Sequence, residues 1–263
     1  MYPFTYHRPT SVRKAATLLG KAEDPKILAG GHTLLPTMKQ RLAAPSDLVD
    51  LGGIEGLDGI ELKGRTLHIG AMARHGDVAD SDVVKEAIPA LAALAGGIGD
   101  PHVRARGTIG GSIANNDPNA DYPAACVGLG ATIVTNKRKI AADDFFTGMF
   151  ETALEEGEIV TKVTFPIPRK AGYAKFPNPA SRYALVGVFV SKRGKEVRAA
   201  VTGAAPCVFR AKPIEDALGT RFAVKSLEGV TVSDADLNSD IHASAEYRAH
   251  LIGVMARRAV AAA

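Results

Sequence analysis

The 263-residue chain contains no tryptophan and only two cysteines, Cys126 and Cys207. Two thiols in no C-x-x-C arrangement are too few for an iron–sulfur cluster, which takes four thiolate ligands. Their neighbours are apolar (Ala125 and Val127; Pro206 and Val208), so both are expected to be small buried hydrophobes. The seven histidines are scattered, with no H-E-x-x-H and no H-x-H, which leaves a zinc site without a local nucleus. No apolar run reaches the ~18 residues of a membrane span, and Met1-Tyr2-Pro3-Phe4 is not a signal peptide, so the cytoplasm is the expected compartment. Excess charge of one sign is lacking too: 32 basic against 28 acidic residues leave a formal +4. Nucleic-acid binding, which needs a concentrated basic face and stacking aromatics, is set aside. Lys137-Arg138-Lys139 and Lys192-Arg193-Gly194-Lys195 read as solvated hairpin turns.

The conventional nucleotide fingerprints are also missing. No G-x-G-x-x-G opens a helix after a strand, Gly128-Leu129-Gly130-Ala131 lacks the third glycine, and there is no G-x-x-x-x-G-K-[ST]. What the chain does have is two small-residue loops, Ala29-Gly30-Gly31-His32-Thr33-Leu34-Leu35-Pro36 and Thr108-Ile109-Gly110-Gly111-Ser112-Ile113-Ala114-Asn115. Each joins Gly-Gly to hydroxyl residues. Consecutive glycines let several backbone N–H groups converge on one anion, so two such loops suggest a ligand with two linked phosphates held from both sides.

Patterning places the first loop between a strand, Lys26–Ala29, and a helix that begins at Leu35, where an anion is favoured. A helix is expected from Val12 to Gly20, a strand over Asp47–Leu51, and hairpins over 60–69 and 131–141. Further helices are expected over Ala87–Ala95 and Asp121–Gly130, with a strand over Glu158–Phe165. Pro166 to Gly172 reads as a linker. Three strands follow, Tyr173–Phe176, Ala184–Val190 and Glu196–Gly203, then helices at Arg210–Leu218 and 244–260.

The run AGGHTLLP at 29–36, DPHVRARGTIGGSIANNDPNADYP at 100–123, GEIVTKVTFP at 157–166, FPNPASRYALVGV at 176–188 and the tail at 244–260 resemble the flavin-binding subunit of the molybdenum hydroxylases. That group includes the medium subunit of aerobic carbon monoxide dehydrogenase and the FAD domain of xanthine dehydrogenase. The resemblance implies an α+β fold: an FAD-binding domain of the vanillyl-alcohol-oxidase type over residues 1–172, with subdomains of about 1–55 and 56–172, then a C-terminal three-stranded sheet with helices over 173–263.

It also implies a site. Ala29, Gly30, Gly31, His32, Thr33, Leu34 and Leu35 would cover the pyrophosphate of FAD, and Thr108, Gly110, Gly111, Ser112 and Asn115 would approach it from the other subdomain. Ile98 and Gly99 would line the flavin or adenine pocket, and Asp121 would hydrogen-bond the nucleotide. Ile159 and Val160 either meet the cofactor or are plain strand core. His32 either bonds backbone or contacts the cofactor, and Tyr183 would pack near the flavin ring. Pro177 stands where some members carry a lysine, with Lys175 nearby.

No catalytic residue and no metal ligand is expected in this chain. By resemblance, a large subunit carrying the molybdenum cofactor oxidises substrate, a small subunit relays electrons through two [2Fe–2S] clusters, and this chain's FAD collects them for NAD, a quinone or another acceptor. The assembly would be a dimer of heterotrimers. The alternatives are a stand-alone FAD-dependent oxidase or reductase, which would need its own acid–base residues, and a flavin-free interaction protein.

Overall fold

The computed structural model describes residues 1–263. Ser11 opens the first helix, Val12–Leu19, by accepting from the Lys14 N–H, and the helix buries Ala15 and Leu19. It packs against a three-stranded parallel sheet in which Asp47–Asp50 lies between Thr5–His7 and Pro25–Leu28. The core beneath it is small: Ala15, Leu19, Val49, Leu51, Leu57 and Ile159. Ile159 immediately precedes the strand Val160–Pro166, more than a hundred residues later, so this N-terminal unit is completed by the middle of the chain.

The middle is a five-stranded antiparallel sheet ordered Ile60–Lys63, Thr66–Gly70, Val160–Pro166, Thr132–Thr135, Lys139–Ala141. Its central strand pairs Val163 with Ile69 on one side and Ile133 on the other. The helices Pro89–Gly96 and Tyr122–Leu129 supply residues to the same core. All eight residues of Tyr122–Leu129 are buried, so the helix is a core rod rather than an amphipathic cover. Gly130, which looked like part of an incomplete fingerprint, ends that helix in the left-handed region (φ 62°).

The C-terminal sheet corrects three expectations. It has four strands, Lys170–Pro177, Ala184–Arg193, Glu196–Thr202 and the short Phe209–Arg210. Arg210 was expected to open a helix; instead it pairs with Ala200, and the helix runs Lys212–Thr220. The expected linker is also mostly strand, because Lys170, Ala171 and Gly172 pair with Lys192, Ser191 and Val190. A Cβ at Gly172 would lie 1.9 Å from the Ala259 carbonyl oxygen, so this glycine is there to let the C-terminal helix Ala245–Ala261 touch the sheet backbone. Val188 and Val190 face the C-terminal core while Phe189 faces the central one. A strand buried on both faces reads as the continuous apolar run seen at Ala184–Val190.

Candidate cofactor site

The two glycine loops meet across the boundary between the first two units, but they contribute differently. None of the N–H groups of Gly30, Gly31, His32, Thr33 and Leu34 donates to an acceptor within the chain. These are five consecutive unpaired donors, with Gly31 in the left-handed region (φ 76°), the kind of backbone run that can take an anion. The second segment was expected to do the same with its backbone. It is instead the start of a helix, Ile109–Asn115, and its N–H groups are already used: Ile109 donates to Ala73 O, Gly110 to Ala71 O, Gly111 to Thr108 Oγ1 and Ser112 to Thr108 O. What it offers the ligand is hydroxyls, the one free N–H of Thr108 and close approach.

The glycines divide in the same way. A Cβ at Gly30 would lie 2.2 Å from Arg106 O, and one at Gly110 would lie 2.6 Å from Ala71, so these two let backbone pack on backbone. A Cβ at Gly111 would meet only the Thr108 hydroxyl at 2.9 Å and Ala29 Cβ at 3.6 Å, in the gap between the two loops.

That gap opens into a cavity of about 570 Å³, within the ~300–1,000 Å³ typical of small-molecule sites. Every residue the sequence singled out lines it except Leu35. Leu35 lies inside the first turn of its helix, against Gly31, where a Cβ would come within 2.9 Å of its Cδ1. His32 and Thr33 are exposed on the rim, and Thr108 is buried. Ile159 and Val160 are both cavity wall and core: Ile159 belongs to the N-terminal cluster and Val160 to the central one.

At the other end of the cavity, Arg104 donates to Ile98 O (3.0 Å) and Gly99 O (3.2 Å), fixing the turn that holds both. Asp121 is 4 % exposed and ties the cavity to the C-terminal sheet. It accepts from the Tyr173 hydroxyl at 2.5 Å and pairs with Lys175 Nζ at 3.0 Å. A carboxylate has about four acceptor sites, so capacity remains toward the cavity. Burial raises the Asp121 pKa, opposed by Lys175 and then by Tyr173. Tyr183, half exposed, stands at the mouth, and its pKa is raised by partial burial and by the carboxylates of Asp117 and Asp121.

Among the titratable wall residues that escaped the sequence reading, two are strongly shifted. His75 is buried against Gly107, its Nδ1 lacks a partner, and burial, aided by the charge of nearby His32, lowers its pKa to about 4. It arrives through the Arg74–Thr108 bridge, a pairing no local motif announces. Glu158 corrects the reading of Lys137–Lys139 as a merely solvated turn. Arg138 clasps both its oxygens at 3.1 Å and donates to Ala153 O, and the pair holds the Glu158 carboxyl down at about 2.

Both shifts make acid destabilising, in separate windows. His75 takes up a proton on unfolding, so its contribution is complete above its ordinary value of 6.5 and is lost as pH falls toward 4. Glu158 contributes fully above 4.5, on the order of 3 kcal/mol, and that is lost as pH falls toward 2. Unfolding free energies measured in urea across the acid range should show both declines. His75→Asn should flatten the upper window alone and Glu158→Gln the lower; an unchanged profile in either variant contradicts the assignment.

A cleft between two α+β units, with free N–H donors at its centre and a third unit closing one end, defines a protein built to hold an extended dinucleotide. Comparison with known proteins gives that class a family. Residues 2–168 match the FAD-binding domain in molybdopterin dehydrogenase, and residues 171–263 match the carbon monoxide dehydrogenase flavoprotein C-terminal domain. The chain is 37% identical to the nicotine 6-hydroxylase medium subunit of Paenarthrobacter nicotinovorans, over 97% of this chain and 95% of that one. It is also 37% identical to the carbon monoxide dehydrogenase medium chain of Hydrogenophaga pseudoflava, over 99% of this chain and 96% of that one. Its fold superimposes on a solved structure of carbon monoxide dehydrogenase from Hydrogenophaga pseudoflava with a TM-score of 0.88 at 36% identity, covering 100% of this chain and 98% of that one. The chain belongs to the FAD-binding subunits of the molybdenum hydroxylase family, as an oxidoreductase subunit.

Proposed function

We propose that the cavity holds one non-covalent FAD and that the chain is the electron-collecting subunit of a molybdenum-containing hydroxylase. The observation that carries this reading is the row of five unpaired N–H groups at Gly30–Leu34, which suits a pyrophosphate. Thr108 and Ser112 would bring hydroxyls from the opposite side. Ile98, Gly99, Asp121 and Tyr183 would surround the flavin ring, and Ile159 and Val160 would wall the cavity beyond the phosphates. In this reading the FAD-binding domain occupies residues 1–172, as subdomains of about 1–55 and 56–172, and the C-terminal domain occupies 173–263.

FAD, when bound, supplies a two-electron store. The chain's own part is to bind and orient it. The Gly30–Leu34 donors fix the phosphates, the Arg104-braced turn fixes Ile98 and Gly99, and the apolar wall excludes water. Electrons would come from [2Fe–2S] clusters of a small partner subunit, since two cysteines cannot hold a cluster here, and the large partner with the molybdenum cofactor would oxidise the substrate. NAD, a quinone or another acceptor would take them onward. The two relatives at the same 37% identity are named for carbon monoxide and for nicotine, so overall similarity does not single out a substrate for the complex.

The isolated chain should therefore bleach with dithionite yet fail to turn over any organic substrate, and substrate should reduce its flavin only in the assembled complex. Multiple turnover by the isolated chain, with no other protein or metal present, would establish a stand-alone flavin oxidase instead.

A further inference from the structure

We propose that Lys175 is a positioning residue that sets the reduction potential of the bound flavin, acting through Asp121; the proposal rests on the FAD reading above. Lys175 lies on the strand Lys170–Pro177 of the C-terminal sheet, and its side chain is 10% exposed. Its Nζ reaches out of that sheet to two places on the cavity's edge: the Asp121 carboxylate, at 3.0 Å to Oδ1 and 3.1 Å to Oδ2, and Gly97 O at 2.8 Å. Gly97 is the residue before Ile98, which lines the cavity, as Asp121 does. One ammonium thus pins both flanks of the same end of the site.

A buried ammonium is expensive to retain for shape alone, because an apolar side chain could fill the same space. What only the cation does here is neutralise a carboxylate that is itself 4% exposed and faces the cofactor. Reduction adds negative charge to a flavin ring, and charges in a buried site act over several ångströms with little screening. With Lys175 present, the ring meets a neutral pair. Without it, at a pH alkaline enough to keep Asp121 ionised, which is where the titration below is run, the ring meets an uncompensated carboxylate, and the added electrons are disfavoured. Tyr173, the other partner of Asp121, donates a hydrogen bond but carries no charge, so it cannot take over this role.

The test is a potentiometric titration of the flavin in the FAD-loaded full-length chain, comparing Lys175→Gln, Lys175→Met and Lys175→Arg with the parent. Glutamine keeps an amide that can donate to Gly97 O, so it separates the charge from the contact. At the parent's midpoint, the ratio of reduced to oxidised flavin should fall about tenfold in both neutral variants, a shift of about 30 mV for a two-electron couple. Lys175→Arg should restore the parent value. Neutral variants that hold FAD at the parent potential overturn the proposal. So does loss of flavin from both, which would make Lys175 a purely structural tie. A parent chain that binds no flavin would instead refute the FAD reading on which the proposal stands.

Discussion

Gly111→Val is expected to lower bound FAD at least tenfold while leaving the protein folded. The new Cβ would point into the gap between the two loops, meeting Thr108 Oγ1 at 2.9 Å and Ala29 Cβ at 3.6 Å, and the two methyl groups beyond it would occupy space meant for the ligand. The backbone does not forbid the substitution, because Gly111 is a helical residue with no positive φ. Displacing the Thr108 hydroxyl disturbs the cap it makes with the Gly111 N–H, a cost of about 1 kcal/mol that the fold can absorb. Gly30→Val is the contrasting variant. Its Cβ would fall 2.2 Å from Arg106 O, so the loops could not dock, and flavin and stability should be lost together. Flavin content by absorbance, alongside a denaturant melt, distinguishes the two. Full flavin occupancy in Gly111→Val would mean that the loops are turns with no ligand between them.

Arg248→Met should destabilise the C-terminal unit by about 3 kcal/mol. Arg248 lies on the helix Ala245–Ala261, is 2% exposed, and spends its guanidinium on three separate parts of the chain. It donates to Leu185 O at 2.7 Å and Gly203 O at 2.9 Å, and pairs with Asp240 at 2.7 Å. Methionine fills much of the volume but leaves both carbonyls without their donor, and a buried acceptor without a partner costs about 1–3 kcal/mol. Asp240 is itself 44% exposed and can return to water, so the loss comes mainly from the carbonyls. Because the Gly203 N–H holds Pro118 O and the Thr202 hydroxyl holds Ala120 O, the damage should also reach the Ala120–Asp121 edge of the cavity. Urea unfolding followed by circular dichroism checks the magnitude; a loss under 1 kcal/mol would contradict the account.

Much of the site was legible in the sequence because glycine and hydroxyl residues cluster where backbone must approach a ligand, and those clusters are local. The strand-to-helix transition at Gly30–Leu34 could be read from a few residues of context. The division of labour between the loops could not. Whether the N–H groups of Ile109, Gly110 and Ser112 are free depends on Ala71, Ala73 and Thr108, and the first two belong to a turn some forty residues earlier. His75 and Glu158 were hidden for the same reason: each becomes a wall residue through a distant partner, Thr108 for the segment carrying His75 and Arg138 for Glu158. The fourth strand of the C-terminal sheet is two residues long, too short to carry a period, and its second residue, Arg210, is held by Glu215 in a pattern that resembles a helix start. The linker was misjudged because Pro166 and Pro168 suggest a break, yet ladder pairing resumes at Lys170.

The central claim is that this cavity holds FAD. The most direct measurement is to purify the chain, alone after incubation with FAD and together with whatever partners copurify, denature it, and chromatograph what is released. The account predicts about one FAD per chain, freed without proteolysis. FMN in its place, or no flavin from the intact complex, would contradict it.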